Sequence, residues 1–260
     1  MQNPSPQTLA GIPASWLGVD MHVHSRFSDA LPTVDTILER AKRRGIGVAI
    51  TDHNTIAGSI EACEKAGETV VIPGIEISSD VNVHLLAYFP TPSHLESFYL
   101  RFIEPFKRKH FFCKGIHLPA TEILEAVKEF SGFSALAHPF GNGKYHCIAE
   151  SMRQEILALI DGIEICNGVQ SHRKNEKAHV LAKHMHCASI GGSDAHVVGA
   201  CGHVCTFAPG DTAAAFLASV EKGMSMVLSS PFSVKEALED GIVIALRYFW
   251  HSLHPQKLWV

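Results

Sequence analysis

LGVDMHVHSRFSDALPTVDTILERAKRRGIGVAITDH, residues 17–53, reads as strand, helix, strand. The run from Leu17 to His24 alternates with the two-residue period of a strand. Pro32 and Thr33 form a helix start signal and Gly45 a stop, which predicts a helix over 34–44. A second short strand then covers 48–51.

Outward from this unit the same alternation continues. A helix is expected over 56–66. Strands follow over 69–78 and 81–89, joined by a tight turn at Ser79 and Asp80. The stretch 93–130 reads as helical, with breaks around Gly115 and Pro119. Further strands are expected over 134–137, 162–166 and 188–191, with a helix over 172–186 between the last two. A late strand over 203–207 leads into a helix over 212–222. This βα series implies a largely parallel sheet, and seven or so strands with helices between them fit a (β/α) barrel. No internal repeat interrupts it. The chain divides into an extension (1–16), a barrel domain (17–235) and an apolar tail (236–260).

Composition narrows the function classes. Hydrophobic residues make up 46% of the 260 and charged residues 18%, enough to bury a sizeable core. The formal net charge of -4 argues against a protein that coats nucleic acid. An anionic substrate stays open, because bound metal ions are absent from that count. The seven Cys show no CxxC spacing and read as reduced thiols of a cytoplasmic protein. Residues 1–15 are Pro-rich and polar, unlike a signal peptide, and no stretch approaches the roughly 20 apolar residues of a membrane span.

The chemistry lies at predicted strand ends. His22 and His24 close the first strand, with Asp29 soon after. Asp52 and His53 close the second. Glu76 and His84 sit on the third and fourth, His138 at the end of the fifth, and Asp194 and His196 past the strand over 188–191. Residues two apart on a strand face one side, so His22 with His24, and Asp194 with His196, can grip one ion together. Any one of these residues alone is more often structural. Their recurrence around one barrel rim is not explained by structural need, because buried Asp, Glu and His cost stability unless paired or metallated.

The segments VDMHVHSRFSDA, AITDHNT, VIPGIEIS, VHLLAYF, ALAHPFG, DGIEICN and GGSDAH resemble, in order, the motifs of the PHP (polymerase and histidinol phosphatase) family. The resemblance runs from Val19 to His196. It implies an α/β fold, a distorted (β/α)7 TIM-like barrel, that binds up to three divalent ions. It also implies three sub-sites: His22, His24, Glu76 and Asp194 for the first ion; Glu76 as a bridge, with His84 and His138, for the second; Asp29, His53 and His196 for the third. Imidazole and carboxylate ligands suit zinc, manganese or iron. Asp194 and His196 are also the candidate catalytic residues, and Asp52 is expected to orient a ligand His. The activity implied is phosphate-ester hydrolysis by a metal-activated hydroxide on a small phosphorylated substrate.

Candidate substrate contacts are Lys144 in the glycine-rich loop past His138, Arg173 at the start of the helix over 172–186, Asn167 supported by Glu164, and Arg26. Each cation also reads as a solvated loop or helix-start residue. Cys201 and Cys205, flanking His203, are expected in core packing, and His179, His184 and His186 on a solvated helix face. The tail places Ile242, Leu246, Phe249 and Leu253 at helical spacing. A helix packed on the barrel is favoured there over a membrane-surface or dimer contact. A phosphomonoesterase is favoured, since the short span from His84 to His138 leaves little room for the insertion carried by nucleotide-processing relatives. A phosphodiesterase or nuclease, or a non-catalytic metal-containing accessory module, are the alternatives, and no stable nucleic-acid partner is expected.

Overall fold

The computed structural model describes residues 11–81, 83–107, 115–141 and 153–230, together with Ile242 and Leu246. In chain order the elements are β1 (Leu17–Val23), α1 (Val34–Arg44), β2 (Gly47–Ile50), α2 (Ala57–Lys65), β3 (Gly74–Ser78) and β4 (His84–Tyr88). Next come α3 (Pro92–Phe98), a π turn (Tyr99–Ile103), a 3-10 turn (Glu104–Phe106), α4 (Ala120–Glu129), β5 (Phe133–Leu136) and α5 (Arg153–Leu159). The last are β6 (Gly162–Asn167), α6 (His172–Met185), β7 (Ala188–Gly192), β8 (Val204–Ala208), α7 (Ala213–Glu221) and β9 (Met226–Ser229). The sequence pattern did not reveal α5 or β9. No helix among the described residues is long and apolar enough to cross a membrane.

Helix α1 shows how locally these elements are specified. The Thr33 side chain accepts a hydrogen bond from the Thr36 N–H, and Gly45 ends the helix at φ 65°, a left-handed conformation that glycine adopts without penalty. Val34, Ile37, Leu38 and Ala41 recur at helical spacing and are buried. They pack with Val23, Val48 and Ile50 of the strands beneath.

The strands form two sheets, of order β2-β1-β8-β9 and β3-β4-β5-β6-β7, where one ring of seven is expected. The sheets are mixed rather than largely parallel. β1/β2, β5/β6 and β6/β7 run parallel; β3/β4, β4/β5, β1/β8 and β8/β9 run antiparallel. The reason is connection length. Residues 79–83 are too few for the crossover that parallel neighbours need, so β4 folds straight back along β3. Isolated bridges join the two sheets at Val23 and Ala195, Val48 and Val71, and His53 and Glu76.

Besides the cluster under α1, there are two apolar layers. One lies between the sheets and includes Val19, Met21, Ala49, Leu86, Tyr88, Ala135 and Ile190. The other packs Ile75, Ile77, Leu85, Ala87 and Leu136 against α4, α5 and α6. β1 changes layers along its length: Met21 joins the inner core, whereas Val23 packs under α1. Strict alternation would put both on one face. The pairing of β1 with β2 slips between Asp20 and Val23, and such a bulge re-aims the side chains that follow. Beyond the slip, His22 and His24 turn toward Glu76.

Of the tail, only Ile242 and Leu246 are described; both are helical and exposed. The packing expected for the rest of 236–260 lies outside the described residues.

Candidate metal centre

The elements bring six imidazoles and three carboxylates into one buried cluster. His22 and His24 come from the end of β1, Asp29 from the loop after it, and His53 from just past β2. Glu76 comes from mid-β3, His138 from just past β5, and Asp194 and His196 from just past β7. Glu76 and His84 both depart from the expected strand-end rule, Glu76 lying mid-β3 and His84 at the start of β4. Because β4 runs antiparallel to β3 and β5, its first residue reaches the rim where its neighbours end.

Glu76 is the hub. Its Oε1 lies 2.9 Å from His84 Nδ1 and 3.1 Å from His138 Nε2. Its Oε2 lies 2.9 Å from His53 Nδ1, 3.4 Å from His24 Nε2 and 3.5 Å from His22 Nε2. Asp194 Oδ1 is 3.1 Å from His24 Nε2 and 3.5 Å from His22 Nε2. Asp29 Oδ2 is 3.5 Å from His53 Nε2 and 3.4 Å from His196 Nε2.

These residues fit divalent ions. Donor atoms held about 2.1 Å from a common ion sit roughly 3 to 3.5 Å apart. Among the described residues, five overlapping groups of three donors lie within 4.8 Å of one another. The Nε2 atoms of His22 and His24 approach to 3.1 Å, and among the described residues the buried His24 Nδ1 has no hydrogen-bond partner. Buried polar atoms left so are costly, and a cation would satisfy them.

The electrostatics agree. Burial opposes every charge here, yet Asp194, Glu164 and Glu76 together push the His22 imidazole well up. Glu76 and Asp29 outweigh burial at His53 and raise it to about 9. Burial is likewise outweighed at Glu76 by His53, His84 and His22, and at Asp194 by His22 and His24, so both carboxyls are held below the usual range. His24 and His84 are pushed down, chiefly by burial. The carboxylates are therefore ionised and call for positive charge, from protons or from ions.

Three further groups hold the donors in place. Asp52 accepts hydrogen bonds from Ser25 N–H (2.7 Å), Ser25 Oγ (2.6 Å) and Ser28 Oγ (2.6 Å). It fastens the loop between His24 and Asp29, and its hydrogen bonds among the described residues go to Ser25 and Ser28. Asp20, which the sequence reading passed over, accepts from Ser193 N–H and Oγ and from Gly202 N–H. A carboxylate two residues before His22 within an apolar strand was the available signal. Glu164 accepts from the main-chain N–H of His138 (2.7 Å) and from Asn167 Nδ2 (3.0 Å), and lies 2.9 Å from His22 Nδ1. Asn167 Nδ2 also donates to Asp194 Oδ2 at 3.1 Å.

The other candidates are placed differently. Arg26 is exposed, with its guanidinium over the Phe27 ring. Arg173 is exposed at the start of α6 and lines a groove of 540 Å³ with Phe140, Lys177 and His184. Lys144 lies outside the described residues. Cys201 and Cys205 are buried, as core packing requires. His184 and His186 are exposed, while His179 is half-buried.

Comparison with known proteins gives matches along most of the chain. The model of the family described as PHP domain matches residues 20–200. Protein MJ1587 of Methanocaldococcus jannaschii is 30% identical over 163 residues, 57% of this chain and 80% of that protein. The phosphoribosyl 1,2-cyclic phosphate 1,2-diphosphodiesterase of Eggerthella lenta is 42% identical over 64 residues, 23% of this chain and 24% of that enzyme. Among solved structures, a Bifidobacterium adolescentis protein assigned as a metal-dependent phosphoesterase superposes with a TM-score of 0.55 at 25% identity. That match covers 72% of this chain and 90% of the other.

Proposed function

The chain belongs to the PHP domain family and to its class of metal-dependent phosphoesterases, and from that premise we propose that it is a phosphomonoesterase with a trinuclear centre. The observation that carries this reading is Glu76, one buried carboxylate whose two oxygens reach five imidazoles. The three ligand groups are His22, His24, Glu76 and Asp194; Glu76, His84 and His138; and Asp29, His53 and His196. On this reading the two sheets and their bridges act as a distorted (β/α)7 barrel.

Bound divalent zinc, manganese or iron supplies Lewis acidity toward a phosphoryl oxygen and lowers the pKa of water. The protein's own residues do the rest. Asp29, Glu76 and Asp194 stay ionised and balance the cations. His196 Nδ1 lies 2.9 Å from the Asp194 main-chain oxygen, which orients its Nε2 toward Asp29. The side chains of Asp29 and Asp194 are the most open of the nine, at 14% and 12% exposure, so substrate approaches on their side. Asp194 and His196 face the reacting phosphate, and Arg173, Lys144 and Arg26 supply anion contacts around it. The recessed cluster suits a small substrate whose phosphate is terminal. A cytoplasmic location completes the proposal.

A diester substrate is the second reading, favoured by the Eggerthella lenta relative. Turnover of a phosphomonoester and of acyclic and cyclic phosphodiesters, with metal content measured on the same sample, separates the two. Faster diester hydrolysis would overturn the monoester assignment. Three ions without hydrolysis of any ester would favour an accessory module.

A further inference from the structure

We infer that Glu164 is a positioning residue that selects the tautomer of His22 and, through Asn167, holds ligands of three strands in one arrangement. This rests on the metal-centre reading above but not on the choice of ester. Glu164 is buried in β6 and, among the described residues, is not in the donor groups that could share an ion. The oxygens of a carboxylate accept hydrogen bonds, and the second oxygen of Glu164 already accepts two N–H groups. With Oε1 at 2.9 Å it therefore keeps the His22 proton on Nδ1. That leaves Nε2, which faces His24, Glu76 and Asp194, as the nitrogen that would bind an ion.

The other carboxylate oxygen works on the backbone. It accepts the His138 N–H at 2.7 Å, and His138 has φ 26°, a conformation that costs energy for any residue with a side chain. The Asn167 amide spans Glu164 and Asp194, and Asp194 too has positive φ, at 53°. Glu164 and Asn167 are three apart on one strand, so alternation alone would set them on opposite faces. The pairing of β6 with β7 slips between Glu164 and Cys166, which brings both to the site side. One strand that supplies no ligand thus supports β1, β5 and β7 together.

The variant Glu164→Gln keeps shape and changes one hydrogen-bonding edge. Its oxygen satisfies the His138 N–H and Asn167, and its NH2 then faces His22 Nδ1. The imidazole must accept there, which moves its proton to Nε2 and removes His22 as a ligand. Nitrogen-15 histidine spectra of zinc-loaded protein, with His22→Ala to assign the signal, read this directly. Wild type is expected to show His22 bound through Nε2 with a proton on Nδ1. Glu164→Gln is expected to lose that signal and at least one zinc per chain by elemental analysis. Asn167→Ala is expected to keep the Nδ1–H tautomer while zinc affinity falls roughly 10- to 100-fold. In the His22→Ala background, Glu164→Gln should leave the remaining zinc count unchanged. Wild-type His22 ligating through Nδ1, or Glu164→Gln with a full zinc count and Nε2-bound His22, overturns the inference. The wild-type spectrum tests it even if the variant does not fold, and no result depends on turnover.

Discussion

Asn54 (φ 52°), His138 (φ 26°) and Asp194 (φ 53°) adopt left-handed backbone conformations around one cluster. Each is held by a hydrogen bond: Asn54 N–H to Glu76 O, His138 N–H to Glu164, and Asp194 N–H to His22 O. Strain persists only where surrounding contacts over-determine it, and here those contacts converge on the donors. Replacing His22 or His138 with Ala should remove an ion and most activity while the fold remains. Circular dichroism and metal content check this, and wild-type turnover in an ion-depleted variant would count against the site. Asp52→Ala should destabilise the protein by about 3 kcal/mol, since three buried donors lose their acceptor. Chemical denaturation measures it, and a change within 0.5 kcal/mol would mean that water replaces the carboxylate. Protonation offers a third test. The folded-state value of His53 is raised to about 9, so its contribution is complete below its ordinary 6.5 and is lost as pH climbs through 9. Metal-free protein should therefore lose stability between pH 7 and 9. Zinc-loaded protein should not, because ions replace the proton. Equal slopes in both forms would contradict this.

Among the elements, β1 and β7 approach each other closely. A Cβ added at Gly192 would meet the backbone nitrogen and the Cβ of His22 at 2.4 Å. Neither atom belongs to a flexible side-chain end, so the strands themselves would have to part. Gly192→Ala should cost about 3 kcal/mol or more and lower metal content at the same time. Thr33→Ala, far from the cluster, should cost about 1 kcal/mol by removing the cap of α1, with metal content unchanged. Thermal melts with elemental analysis separate the pair; equal metal loss in both would make the seam argument untenable. The β3–β4 hairpin belongs to this scale as well, because its direction places His84 opposite Ser78 and within reach of Glu76.

In the whole molecule, the ions and the fold are separable. The apolar layers between and outside the sheets do not contain the donors, so metal-free protein should keep most of its secondary structure. Chelation should nonetheless abolish phosphoesterase activity. Without ions, ionised Asp29, Glu76 and Asp194 repel an anionic ester; with ions the sign of the site inverts. Restoring manganese, zinc or iron should restore turnover at rates that differ by metal. Activity that survives complete metal removal would refute the proposed chemistry.

Much of this was legible in the chain. The 34–44 helix follows from Pro32, Thr33 and Gly45 because capping and left-handed termination are local properties. Most of the nine donor residues are legible because chemistry-bearing residue types stand where apolar runs stop, while Glu76, inside an apolar run, and His84, at a strand start, are carried by the resemblance of their segments. Direction and facing are another matter. Periodicity carries no sign for strand direction, so the mixed sheets, and the rim position of His84 at the start of β4, emerge only once strands pair. Bulges are equally invisible to a two-residue period. The slips in β1 and β6 turn His22, Glu164 and Asn167 to one side, and they exist because neighbouring strands force a register. The residue types that could hold an ion were written in the sequence. Which atoms meet, and through which tautomer, is decided by strand register in three dimensions.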